Sequence, residues 1–144
     1  MRSPFPYPGG KFKIAELVWQ ILDADNRLGN YVEPFLGSAA LLLARPNPRT
    51  WEIVNDADGL LVNAWRAIRN HPVIVADLVT ERYASELDLR ARHGYLIAHR
   101  DEITKMLATD PEWCDPKAAA WWIWGMSIGS ETLSIQPGIR DGVN

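Results

Sequence analysis

Two short apolar runs, each stopped by an acidic or turn residue and each followed by a helical pattern, constrain this chain more than any other feature. Tyr31-Val32-Glu33 is halted by Pro34, turns at Gly37 and gives way to residues 38–44, which read as a buried helix ended by Pro46. Trp51-Glu52-Ile53-Val54-Asn55 is the second run. Asp56 and Asp58 turn the chain, and Asp58 is placed to cap a helix over residues 59–69. Leu60, Leu61, Ala64, Trp65 and Ile68 form the stripe of that helix. Two strands joined through a helix lie parallel, which predicts an α/β fold. Ligands of such sheets sit at the carboxyl ends of the strands. Here those ends are residues 33–37 and Asn55-Asp56.

The rest of the chain is helical in pattern. Residues 1–10 are a Pro/Gly-rich entry, and a helix starts near Lys11 with Ile14, Leu17, Val18, Ile21 and Leu22 on one face. Residues 23–30 form its end and a turn, with Gly29 or Asn30 able to adopt a left-handed conformation. Pro72 opens a helix through Val79. Residues 84–107 form a longer charged helix with Leu87, Ala91, Tyr95, Ile103 and Leu107 roughly on a face, and a Trp-rich helix spans 117–128. Trp121, Trp124 and Ile128 share a face that suits core packing, and Trp19, Trp51 and Trp65 are expected in the core or at its edge. The pattern divides the 144 residues into an α/β segment, 1–70, and a helical segment, 71–144.

Several function classes are excluded. The longest apolar run, residues 36–44, is too short to span a bilayer. The proline-broken N-terminus lacks an export signal core. The single cysteine, Cys114, rules out an internal disulfide and fits a cytoplasmic location. His71, His93 and His99 have no metal-ligand spacing with one another or with Cys114, so no metal is expected. The net charge is −3, with six basic and four acidic groups in residues 1–50, and no basic stripe marks a general nucleic-acid surface.

Three constellations could carry chemistry. Glu33, Phe35 and Gly37 end the first strand. Glu33 could accept hydrogen bonds from a ligand amine, and Gly37 lets a ligand lie against the main chain; the alternative is an ordinary junction with Glu33 in solvent. Asp56 follows the second strand, 19 residues after Gly37, where nucleotide-binding α/β folds place the carboxylate that holds a ribose diol; the alternative is a helix cap. Tyr7-Pro8-Gly9-Gly10-Lys11 offers backbone amides and a cation to a carboxylate or phosphate, or is a flexible turn without a ligand. It lacks Walker-loop spacing.

In this order, PYPGGK, YVEPFLGSAALLL and EIVNDADGLLVNAWRAI resemble the Dam-type adenine-specific DNA methyltransferases over residues 4–69. The Trp-rich stretch 117–130 is similar to the segment before the target-recognition region of phage-type members. The resemblance implies a Rossmann-like fold, here with an incomplete sheet and added helices. It also implies methyl transfer from S-adenosylmethionine to the exocyclic amine of adenine in double-stranded DNA. Tyr7 and Lys11 would then contact the cofactor, Lys11 at the methionine carboxylate. Glu33, Phe35 and Gly37 would form its cradle, and Asp56 would hold the ribose hydroxyls.

Two departures stand out. Ala39 occupies the place of the family's second cradle glycine, tolerable in a helix first turn. The catalytic Asp-Pro-Pro-Tyr motif is absent; the nearest string, Asp110-Pro111-Glu112-Trp113, reads as a helix–helix loop. The expectation is therefore the front part of such an enzyme, inactive alone, with no catalytic residue of its own. Two other readings are a non-catalytic remnant and one half of a split enzyme completed by a C-terminal chain. A dinucleotide-dependent oxidoreductase fits less well, because residues 37–42 do not match Gly-x-Gly-x-x-Gly.

Overall fold

A computed structural model describes residues 2–23, 29–47, 51–80 and 85–128. A 3-10 turn (Lys11–Ile14) runs into α1 (Ala15–Asp23), followed by β1 (Tyr31–Glu33), α2 (Ala40–Ala44) and β2 (Glu52–Val54). Four helices complete the order: α3 (Gly59–Asn70), α4 (Pro72–Val79), α5 (Glu86–Thr109) and α6 (Pro116–Ile128). β1 and β2 pair in parallel, with Tyr31 opposite Glu52, Val32 opposite Ile53 and Glu33 opposite Val54. The fold is thus mixed helix and strand around a small parallel sheet. The ladder runs on past the strands, since Asn55 N donates to Glu33 O and Leu36 N donates to Asn55 O, both at 2.9 Å. This locks the two strand exits side by side.

The main core lies between α3, α4, α5 and α6 and draws on both sides of residue 70. Leu60, Leu61, Ala64 and Ala67 of α3 meet Ala118, Ala119, Ala120, Trp122 and Ile123 of α6. The alanines bring the helix backbones close, and the large side chains fill the space between them. Phe5 joins this core, its ring 5.4 Å from Trp65 and 5.3 Å from Trp122. Asn63, fully buried, ties α3 to the start of α6: its Nδ2 donates to Asp115 O at 2.9 Å, and its Oδ1 accepts from Asp115 N at 2.7 Å. Asp115 then accepts from Ala118 N at 2.9 Å, capping α6 ahead of Pro116. Ser85 and Asp88 form a capping box at the start of α5.

Several expectations need correction. The helix expected over 38–44 begins only at Ala40, because Ala39 takes a left-handed conformation with φ 55°. Gly29 and Asn30 are not left-handed; among the described residues only Gly9, Gly37 and Ala39 have positive φ. The rest of that turn, residues 24–28, lies outside the described residues, as do Pro48, residue 84 and everything after 128. The apolar stripe of α1 is not its buried face. Ala15 and Trp19 pack inward, while Ile14, Leu17, Ile21 and Leu22 are exposed. Trp19 decides this orientation: its ring lies 4.9 Å from Tyr31, and its Nε1 donates to Leu41 O at 2.7 Å.

Trp51, just ahead of β2, is exposed at 69% and is neither core nor core edge. On α5, Ile103 and Leu107 are buried as expected and Tyr95 is half-buried, but Leu87 and Ala91 are exposed and Leu96 is buried. On α6, Trp124 is buried as expected, but Ile128 is exposed and Trp122 takes the core position. Trp121 is half-buried against Tyr95, with the Lys117 ammonium 4.4 Å from its ring centre. The residues 110–113 do form the loop between α5 and α6.

Candidate functional site

Tyr7, Pro8, Gly9 and Gly10 close a β-turn in which Gly10 N donates to Tyr7 O at 3.0 Å. Pro8 presets its own backbone angle, and Gly9, at φ 72°, supplies the positive angle that a type II turn needs. This turn lays the Tyr7 ring on Gly37. A side-chain carbon on Gly37 would stand 3.1 Å from two carbons of that ring.

Gly37 is also held by hydrogen bonds on both backbone polar groups. Its N–H donates to Asp56 Oδ2 at 2.9 Å, and its carbonyl accepts from Trp65 Nε1 at 2.9 Å. Asp56 Oδ1 accepts from Asp58 N at 3.1 Å, and Asp58 caps α3 by accepting from Leu60 N at 3.0 Å. The carboxylate after β2 therefore clamps the glycine turn after β1, while the next acid starts the helix. The alternative of Asp56 as a plain helix cap does not apply, since Asp58 holds that place.

Tyr7, Lys11, Phe35, Gly37 and Asp56 line one cleft of about 240 Å³, with Gly9, Gly10 and Ser38 in its wall. Five of the six sequence-derived residues are thus brought together. Glu33 does not line the cleft. It lies behind it, 3% exposed, with one oxygen accepting from Lys11 Nζ at 3.1 Å and the other from the Tyr31 hydroxyl at 2.8 Å. Lys11 also donates to the Phe35 carbonyl. An ammonium has three donors, so one remains for a ligand. Burial raises the Tyr7 phenol above its ordinary value, and the charges of Asp56 and Asp58 add to the shift. Tyr7 therefore presents a protonated hydroxyl at neutral pH.

Sequence reasoning missed two members of the arrangement. Trp65 was expected only as core, yet a half-buried indole N–H needs an acceptor, and that requirement was the available signal. Tyr31 was expected only as strand. Its position two residues before Glu33, on the same face of β1, was the signal there. Among the described residues, no helix is long and apolar enough to cross a membrane. None of their His, Cys, Asp and Glu side chains form a group of three or more that could hold a metal ion.

A parallel strand pair whose carboxyl ends enclose a glycine-turned, acid-lined cleft has the form of an α/β domain, a class whose ligands sit at the strand exits. The model of one family, the D12 class N6 adenine-specific DNA methyltransferases, matches residues 7–123. The chain belongs to that family. The matched span begins at Tyr7 of the cleft and reaches through most of α6. No curated protein and no solved structure matches the chain significantly.

Proposed function

We propose that the cleft is the S-adenosylmethionine site of a DNA adenine methyltransferase built on a Rossmann-like fold. The observation that carries this reading is the bond from Gly37 N to Asp56 Oδ2, which joins the two strand exits at the floor of a cleft that also holds Tyr7 and Lys11. The residues fit the cofactor chemically. Each Asp56 oxygen accepts one backbone N–H, which leaves lone pairs for the two hydroxyls of a ribose. Lys11 keeps a donor for a carboxylate. Gly37 lines the cleft without a side chain, and the Tyr7 ring lies where one would stand. When bound, S-adenosylmethionine supplies a methyl group on a sulfonium, electrophilic enough for direct attack by an amine.

Each residue of the chain then has a task. Asp56 orients the ribose, Lys11 binds the methionine carboxylate, and Tyr7 and Phe35 offer ring surfaces. Glu33 contributes from behind, through Lys11. Acceptors for the adenine amine are supplied in this family type by Asp-Pro-Pro-Tyr, and no such string occurs in residues 1–144. Asp110-Pro111-Glu112-Trp113 does not replace it: the Asp110 and Trp113 carbonyls both accept from Arg66 Nη1, which holds this loop against α3. Residues 1–70 are the cofactor-binding part in this reading, and 71–144 lead toward target recognition and catalysis. A complementary C-terminal chain would complete the site on double-stranded DNA. A non-catalytic S-adenosylmethionine-binding role is the second reading.

Labelled methyl transfer to adenine-containing duplex DNA tests this. Transfer is expected only when a separate half carrying Asp-Pro-Pro-Tyr is added, and unlabelled S-adenosylmethionine, not NAD, should displace the labelled donor. Robust transfer by the 144-residue chain alone, or displacement by NAD, would contradict the proposal. Binding without transfer in either arm would select the non-catalytic role.

A further inference from the structure

Behind the cleft, a line of polar groups runs from the sheet to the cleft wall. The Tyr31 hydroxyl donates to Glu33 Oε2 at 2.8 Å, and Lys11 Nζ donates to Glu33 Oε1 at 3.1 Å. Tyr31 and Glu33 are both buried, two positions apart on one face of β1. Tyr31 is the fixed end of this line. Its N–H donates to Trp51 O at 2.8 Å, within the strand ladder, and its ring is packed on Trp19. Lys11 is the mobile end, an ammonium on a flexible four-carbon stem that rises from a 3-10 turn.

We propose that Tyr31 is a positioning residue: through Glu33 it fixes the Lys11 ammonium where the carboxylate end of the cofactor binds. The inference rests on the S-adenosylmethionine reading of the cleft. Packing alone does not call for the hydroxyl, since a phenylalanine ring would lie on Trp19 equally well. The hydroxyl instead satisfies the second oxygen of a buried carboxylate. Without it, Glu33 keeps a single partner and is free to turn, and Lys11 loses its fixed anchor. Tyr31 thus acts on one end of the ligand only. The adenosine end depends on Asp56 and Gly37, which Tyr31 does not touch.

The test compares two probes that share adenosine and sulfur. S-adenosylhomocysteine carries the amino-acid end, and 5′-methylthioadenosine lacks it. In Tyr31→Phe, the dissociation constant of S-adenosylhomocysteine should rise by about fivefold to tenfold, the effect of one ordinary hydrogen bond felt through Glu33. That of 5′-methylthioadenosine should stay within about twofold, the scatter of ordinary surface changes. In a Lys11→Met background, Tyr31→Phe should add no further loss. Equal weakening of both probes would show a merely structural role, and unchanged binding of both would show no role; either overturns the inference. If the unaltered chain binds neither probe, the cofactor reading itself falls, which is a separate outcome. Circular dichroism checks that the variant is folded. Should Tyr31→Phe not fold, Glu33→Gln carries the same comparison, with the same selective loss expected and equal weakening again decisive against it.

Discussion

A methyl group on Gly37 would meet the Tyr7 ring at 3.1 Å while its backbone sits at φ 53°. A left-handed residue with a side chain costs about 1–2 kcal/mol, and the ring must also move. Gly37→Ala should therefore lower the unfolding free energy by about 1–2 kcal/mol in a denaturant titration. It should also weaken ligand binding, because the displaced ring enters the cleft. Ala39 shows the same constraint from the other side. It stands at φ 55° ahead of α2, not inside a helix turn, so a glycine at that place answers a backbone requirement. Tyr31 gives a pH prediction. Burial, then the hydrogen bond to Glu33 and its charge, push the phenol above its ordinary 10.0. A raised value means that this stabilisation is whole below pH 10 and lost as the pH climbs above it, since the unfolded chain ionises first. Unfolding free energy should fall above about pH 10, and Tyr31→Phe should flatten that fall. At this scale Lys11, Gly37 and Asp56 were legible in the sequence, because charge and backbone shape mark them locally. Trp65 and Tyr31 depend on partners 28 residues and two residues away, and only the folded geometry reveals what they bond.

Among the elements, α3 was read most fully. Its cap, its stripe and its limits follow from local rules, and Asp58 does accept from Leu60 N. Asp58→Ala should cost about 1 kcal/mol, the usual worth of such a cap, measured as a lower denaturant midpoint at unchanged slope. Asn63 was not foreseen, since nothing local marks a polar residue that bridges to Asp115 in the chain beyond. Asn63→Ala should cost about 1–3 kcal/mol, because it leaves the partly buried Asp115 N–H without its acceptor and opens a gap at a fully buried position, while Asp115 O keeps Ala119 N. The helix α1 shows the limit of periodicity. A stripe at helical spacing locates a helix but does not say which face finds a neighbour. Two contacts of Trp19 oriented this helix against the stripe of Ile14, Leu17 and Ile21.

For the molecule as a whole, the strand pair is the open question of solvation. Parallel sheets are ordinarily covered on both faces, yet Val32 and Ile53, paired across the ladder, are 59% and 55% exposed. Among the described residues, they leave extensive apolar surface in water together with Trp51 and the exposed stripe of α1, and the strand pair has open edges. The isolated chain should self-associate. Light scattering coupled to gel filtration should give masses above 16.2 kDa that rise with concentration; a monodisperse monomer with a sharp thermal transition would contradict this.

The central claim is that Asp56 and its neighbours hold the ribose of S-adenosylmethionine at the strand exits. Isothermal titration calorimetry on the unaltered chain and on Asp56→Ala tests it most directly. A charge-assisted contact to a diol is worth about 1.5–3 kcal/mol, so the variant should fold yet bind S-adenosylmethionine at least about tenfold more weakly. Equal affinity in the folded variant and the unaltered chain would remove Asp56 from the site and contradict the account.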